Sequence, residues 1–385
     1  MQAIKVLTVF GTRPEAIKMA PLVKALKQCD YIDSRVCVTA QHRQMLDQVL
    51  DIFHIKPHYD LNIMQDRQTL VDITTRATEG LYDVYHDFKP DVVLVHGDTT
   101  TTFAASLAAF YAKVRVGHVE AGLRTYDKYS PYPEEMNRRL TGAIADLHFA
   151  PTRTNKENLL KENVPVHTIY VTGNTVIDAL SDTVREDYRF KDSFLASYSF
   201  ENKRVITVTA HRRENLGEPF ENIFRALRRL ADDIPDAEIV YPVHLNPVVR
   251  ETAGRILGQH QKIHLIEPLD VQDMHNLMAR SYLIMTDSGG LQEEAPSLGK
   301  PVLVLRKETE RPEAVKAGTV KLAGIMEASI YQSARLLFES DEEYLKMARA
   351  VNPYGDGKAS RRIVEALLHY FGLSQERPRE FEADA

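Results

Sequence analysis

Two hydrophobic patterns alternate along the chain from end to end. Short apolar runs rich in Val, Ile and Leu give way to stretches whose apolar positions recur every three or four residues. The first pattern suits strands buried on both faces, the second helices with one buried stripe. It predicts strands at Ile4–Phe10, Arg35–Thr39, Asp91–His96, Val114–Val119 and Thr168–Val171. A second series follows at Arg204–Thr209, Glu238–Val243, Ile263–Ile266, Tyr282–Thr286 and Pro301–Leu305. Helical spacing occupies Ala16–Cys29, Thr100–Tyr111, Pro219–Ile234 and Leu291–Leu298 between them. Strands separated by helices fold as parallel sheets covered on both faces, so the expected class is α/β with two doubly wound, Rossmann-like domains. A chain of 385 residues also exceeds one compact core. Rising charge after "VTGNTVID" places the seam there, giving domains at 1–173 and 174–358. An amphipathic helix in 359–385 is expected to pack back on the first domain, with the polar end "SQERPREFEADA" frayed.

Composition narrows the partners. The net charge of −6 gives no basic surface for nucleic acid or acidic lipid. Two cysteines, Cys29 and Cys37, form neither a disulfide framework nor a metal-ligand spacing, which fits a reducing cytoplasm. No basic leader or cleavage site precedes the first strand, and no apolar stretch approaches the ~20 residues that cross a bilayer. A soluble protein without membrane contact is expected.

Ligands of open α/β sheets sit at the carboxyl ends of strands, so polar residues there that folding does not require are the candidates. "GTRPEAIK" follows the first strand, and Arg-Pro-Glu-Ala-(Ile/Val)-Lys recurs as Arg311–Lys316. Proline and glutamate suit a helix start, but Arg13 and Lys18 oppose the positive helix end unless an anion binds there. Asp98, after "VVLVHG", is more than the next helix needs when threonines stand ready to cap it. Glu120 ends a buried strand, where an unpaired charge is costly, whereas Glu134 and Glu135 are unremarkable at a helix start. His211, Arg212 and Arg213 end the first strand of the second domain and read as an anion site. Ser288, Gly289 and Gly290 between strand and helix offer open backbone N–H groups for phosphate. Basic groups and free amides from both domains, with three carboxylates, describe a cleft enzyme handling a diphosphate-bearing substrate.

Taken in order, "FGTRPEAIKMAPL", "TAQHRQMLDQVL", "VLVHGDTTTT", "GHVEAGLRT", "YPEEMNRRLTG", "HRREN", "YPVHLNP", "TDSGGLQEEAPSLGKPVLVLR", "TERPEAVKAGT" and "NPYGDG" resemble the non-hydrolysing UDP-N-acetylglucosamine 2-epimerases of bacterial type. The resemblance implies the two-domain glycosyltransferase-B fold, with the domains facing a cleft. It also implies reversible conversion of UDP-N-acetylglucosamine to UDP-N-acetylmannosamine without cofactor or metal, and a homodimer. By resemblance, Asp98, Glu120 and Glu134 are the acid/base carboxylates, without a choice of which takes the C2 proton, and His211 supports the departing UDP. Arg13, Lys18, Ser288, Gly289, Gly290, Glu294 and Arg311 match substrate contacts, Glu294 at the ribose. Leu269, through its backbone, and Met274 match positions beside the uracil, and Met274 departs from the family's usual Phe. Gln41, Gln44, Arg67, Arg212 and His244 match contacts to a second, activating UDP-N-acetylglucosamine.

Other readings have specific weaknesses. A hydrolysing epimerase stays close. A glycosyltransferase of the same architecture needs an acceptor and gives no reason for three carboxylates in the first domain. A nicotinamide dehydrogenase lacks GxGxxG, although Asp30 and Asp33 fall near its acidic position. A sugar-nucleotide sensor would not need His211 with Asp98 and Glu120.

Overall fold

The computed structural model describes residues 3–383. They contain two parallel sheets. The first is built from β1 (Ile4–Phe10), β2 (Ile32–Val38), β3 (Tyr59–Asp60), β4 (Val92–His96), β5 (Arg115–Val119), β6 (Leu147–Ala150) and β7 (Ile169–Val171). Its order is β3-β2-β1-β4-β5-β6-β7, and every neighbouring pair is parallel. The second comprises β8 (Arg204–Thr209), β9 (Ala237–Pro242), β10 (Ile263–Ile266), β11 (Leu283–Thr286), β12 (Val302–Val304) and β13 (Val320–Leu322). Its order is β10-β9-β8-β11-β12-β13, again parallel throughout. Continuous Val/Ile/Leu strands make this unavoidable, because helices must cover both faces. The ten expected strands are all present within a few residues. The apolar pattern misses β3, β6 and β13, which span two, four and three residues.

The chain divides into a compact unit up to Asp182 that also takes in Tyr354–Glu382, and a second unit, Thr183–Pro353. The sequence puts the seam at 173/174; the division falls one helix later, after Thr175–Thr183 begins on the first unit. Each unit has its own core. Leu7, Val9, Val93, Val95, Leu81 and Phe88 anchor the first, and Ile206, Val208, Phe224, Leu227, Tyr241 and Met285 the second.

The C-terminal helix Ala359–Tyr370 packs on the helix Arg13–Lys27. Asp178 caps it, accepting from Ala359 N at 3.0 Å and Ser360 N at 2.6 Å. The segment beyond is not frayed, contrary to its polar composition. Phe381 is buried and donates its N–H to Val171 O at 2.8 Å, and Lys156 Nζ meets the Glu380 carboxylate at 2.8 Å. Arg377 donates to Ile169 O, so the tail lies along the outer edge of β7. Among the described residues no helix is long and apolar enough to cross a membrane.

Candidate functional site

A doubly wound sheet offers a ligand position where the strand order reverses, because neighbouring helices there leave in opposite directions. In the first sheet the reversal lies between β1 and β4, and in the second between β8 and β11. The candidate residues cluster at these two places and at the adjoining end of β5.

In the first unit, Gly11 is required by close approach. A Cβ there would meet Thr39 Oγ1 at 2.0 Å and Thr101 Oγ1 at 2.6 Å. Two residues of helix on, Glu15 is buried and accepts four hydrogen bonds. Its Oε2 takes Gly11 N (3.0 Å) and Thr12 N (2.8 Å), and its Oε1 takes Thr99 Oγ1 (2.6 Å) and Thr102 Oγ1 (3.1 Å). The carboxylate thus ties the β1 and β4 loops together, a role that a helix-dipole argument misses.

Glu120 follows β5 in the left-handed region, with φ 62°. A non-glycine residue held there costs about 1–3 kcal/mol and persists only where its surroundings fix it. Here Lys18 Nζ stands 2.5 Å and His96 Nε2 3.1 Å from Glu120 Oε2. Burial alone would push this carboxyl up. The Lys18 charge, with His96 adding to it, overrides burial and holds Glu120 well below the usual carboxylate range. Beside it, Asp98 is gripped by Arg138, from Nε at 2.9 Å and Nη2 at 2.7 Å. Asn137 Nδ2 also donates to Asp98 O at 2.9 Å. Both partners sit on the helix Glu134–Ile144. Its first residue, Glu134, has a buried Oε2 without a hydrogen-bond partner among the described residues. Glu135 is structural instead, accepting from Thr125 N and Tyr126 N at 2.9 and 3.1 Å. Arg13 is half-buried and its side chain makes no hydrogen bond or ion pair among the described residues.

In the second unit, Ser288 stands at the N-terminal cap position of the helix Gly289–Glu294 without a capping side-chain hydrogen bond, and an added Cβ on Gly289 would lie 3.9 Å from both Arg212 Nη2 and Arg311 Nη2. Two guanidinium groups therefore converge on an open glycine backbone, which suits an anion of more than one charge. Arg311 is aimed by the buried Glu293, to which its Nε donates. His211 stacks on His244, with ring centroids 5.4 Å apart and 17° between planes. Burial pushes the His211 imidazole down, Asp287 pulls it up, and Arg212 and His244 push it down further. Glu294 Oε2 lies 3.2 Å from Nε2 of the buried His275, whose Nδ1 meets Thr183 Oγ1 at 2.7 Å.

The remaining expected contacts are more scattered. Leu269 lies within an apolar cluster with Phe190 and Leu277, and Met274 packs against it. Gln41 is buried, its Oε1 accepting from Thr101 Oγ1 at 3.0 Å. Gln44, Arg67 and His244 are exposed, Arg67 with a left-handed backbone. Sequence reasoning assigned no role to Asp287, His275 or His96. Asp287 had a signal: like Asp98, it is an acid at a strand tip. Among the described residues no group of three or more His, Cys, Asp or Glu side chains is placed to hold a metal.

Comparison with known proteins agrees in fold and in sequence. The UDP-N-acetylglucosamine 2-epimerase family matches residues 24–368. The chain is 63% identical over 381 residues to the UDP-N-acetylglucosamine 2-epimerase of Bacillus subtilis, covering 99% of each. It is 58% identical to that of Escherichia coli K12, covering 94% of this chain and 98% of the relative. The UDP-GlcNAc 2-epimerase of Neisseria meningitidis, solved bound to UDP-GlcNAc, is 56% identical and superposes with a TM-score of 0.86 over 95% of this chain and 100% of its own.

Proposed function

Because the chain belongs to the UDP-N-acetylglucosamine 2-epimerase family, a family of isomerases, we propose that it epimerises C2 of UDP-N-acetylglucosamine by eliminating UDP and adding it back. C2–H of the sugar has no neighbouring carbonyl to acidify it. Breaking the C1–O bond first sends the electron pair to the UDP oxygen and leaves positive charge at C1. That charge acidifies C2–H, and a carboxylate takes the proton, giving a 2-acetamidoglucal. Addition of UDP to C1 with a proton delivered to the other face of C2 yields UDP-N-acetylmannosamine.

The observation that carries this reading is the carboxylate set of the first unit. Glu120 is held as an anion by Lys18 and His96, so it suits stabilising positive charge at C1. Asp98, tethered by Arg138, and Glu134, whose Oε2 has no hydrogen-bond partner among the described residues, are the groups left to move protons. In the second unit, Arg212 and Arg311 at Gly289 suit the diphosphate, His211 the departing UDP, and Glu294 the ribose hydroxyls. Arg13 and Lys18 complete the anion and sugar contacts, and Leu269 and Met274 border the uracil. The second unit is thus the UDP-binding domain and the first the sugar side. The Neisseria enzyme's bound UDP-GlcNAc supports the choice of substrate. The free thiols Cys29 and Cys37 support work in a reducing cytoplasm, and the family resemblance supports a homodimer.

The test is incubation of UDP-N-acetylglucosamine with the protein in D₂O, without acceptor or cofactor. Deuterium at C2 in both epimers, still attached to UDP, is expected. Free sugar plus UDP would instead mark hydrolysis, and no exchange would end the epimerase reading. Allosteric activation through Gln41, Gln44, Arg67, Arg212 and His244 belongs to the same proposal. It predicts a lag with UDP-N-acetylmannosamine alone that trace UDP-N-acetylglucosamine abolishes.

A further inference from the structure

A fully buried acid outside the residues assigned so far bears on how His211 meets its ligand. Asp287 follows β11, and its side chain has no solvent exposure. Oδ2 accepts from His211 N at 2.8 Å, Arg212 N at 2.8 Å and Asn215 Nδ2 at 3.1 Å. That one oxygen sets the path of the loop after β8. The other, Oδ1, is buried without a hydrogen-bond partner among the described residues, yet lies 3.3 Å from His211 Nδ1. A buried carboxylate oxygen lacking a donor is costly, and the imidazole is placed to supply one. With Nδ1 turned to Asp287, Nε2 on the opposite edge of the ring is the nitrogen a ligand can meet.

We propose that Asp287 and His211 form a proton-loading dyad. When a nucleoside diphosphate binds, His211 takes one proton from solvent, donates Nδ1–H to Asp287 Oδ1 and Nε2–H to a diphosphate oxygen. The leaving group then departs against a positively charged donor. This rests on the reading that His211 faces the diphosphate.

The charges around the ring make loading conditional on the ligand. Asp287 favours the proton. Arg212 on the same loop and His244 stacked on the ring oppose it, and Arg311 adds positive charge at Gly289. Without an anion, burial and these cations keep the imidazole neutral. A neutral ring whose Nδ1–H serves Asp287 would present a lone pair at Nε2 to the phosphate, which is repulsive. Anion binding and protonation are therefore coupled. Asp287→Asn separates the roles. Its amide oxygen can still receive the three loop donors, while its amide N–H faces Nδ1 and fixes the neutral tautomer with hydrogen on Nε2. That form can serve phosphate without taking a proton.

Titration calorimetry of UDP into the full-length protein at about pH 8, in buffers of differing ionisation enthalpy, reads proton uptake directly. At that pH a terminal phosphate with pKa near 6 is fully ionised, so protons taken up belong to the protein. The wild type should take up a fraction of a proton approaching one, and its affinity should fall up to tenfold per pH unit between about pH 7 and 9. D287N and H211Q should bind UDP without uptake and with a flat pH dependence. Should D287N not fold, as judged by circular dichroism, H211Q alone decides. Uptake retained in H211Q or unchanged in D287N, or UDP binding to wild type without uptake, overturns the dyad. Failure of UDP to bind the wild type overturns the diphosphate reading itself, and the dyad with it.

Discussion

Arg13 stands without a partner among the described residues, whereas the Arg311 guanidinium is engaged by Glu293, whose side chain is 4% exposed. The two lie in the same Arg-Pro-Glu-Ala context and differ in what their removal should cost. Arg13→Ala should weaken UDP binding by ~1–3 kcal/mol, the loss of a charge-assisted bond, and leave the melting temperature unchanged. Arg311→Ala should weaken binding comparably and also lower the melting temperature, because Glu293 loses its charged partner. Calorimetry of both variants checks the contrast, and wild-type affinity in either removes that arginine from the site. The lysines of the repeat diverge too: Lys18 pairs with Glu120, while Lys316 is exposed. Glu120→Gln removes the anion between Lys18 and His96. It should slow C2 deuterium exchange by about 10²–10³-fold, the loss of an electrostatic stabiliser, with UDP binding retained.

At the scale of elements, the ends of β1, β4 and β5 are tied by a few buried groups. Glu15 joins the first two loops through four hydrogen bonds. Glu15→Gln would remove the charge from four hydrogen bonds and put an N–H group where an oxygen now accepts, and should destabilise the first unit by about 1–3 kcal/mol in urea unfolding. His118 on β5 joins the last two, its Nε2 lying 2.7 Å from Gly97 O. Burial, the largest influence, pushes its imidazole down to about 3. Unfolded, it returns to about 6.5, so between those pH values the unfolded chain binds the proton and the folded one does not. Stability contributed by the neutral ring is therefore present above about pH 6.5 and lost as pH falls, by about 1.4 kcal/mol per unit. The slope of unfolding free energy against pH should flatten by that amount in His118→Gln. These ties also mark what could be read from the chain. The long apolar runs announced the strands and their alternation with helices announced parallel pairing, so the candidate positions were legible as polar residues at strand tips; the order of the strands within each sheet was not. Partners were not. Nothing in the spacing of Asp287 or His275, or of Glu15 beyond its local Gly11 and Thr12 amides, says which donors they meet, because those contacts join residues far apart in the chain. The left-handed turn at Glu120 was hidden for a related reason: the position is occupied by a residue type that seldom adopts it.

For the whole molecule, the chain leaves the first unit after Asp182 and returns to it at Tyr354. The first unit's stability therefore depends on residues at both ends of the sequence. Deleting 354–385 would uncover the apolar face that Ile363, Ala366 and Leu367 cover, and leave the buried Asp178 carboxylate without the Ala359 and Ser360 amides. Such a truncation should lower the melting temperature of the first unit or abolish its folding. Thr183–Pro353, whose core is its own, should still show a cooperative transition. Differential scanning calorimetry separates the two.

The tail along β7 has a further consequence for assembly. A parallel sheet normally ends in a row of unsatisfied amides and carbonyls that invites a strand from another chain. Here Phe381 and Arg377 occupy the carbonyls of Val171 and Ile169 themselves. On that flank residues 377–381 cover carbonyls that a strand from another chain would need, so extending the sheet across β7 would first require the tail to leave.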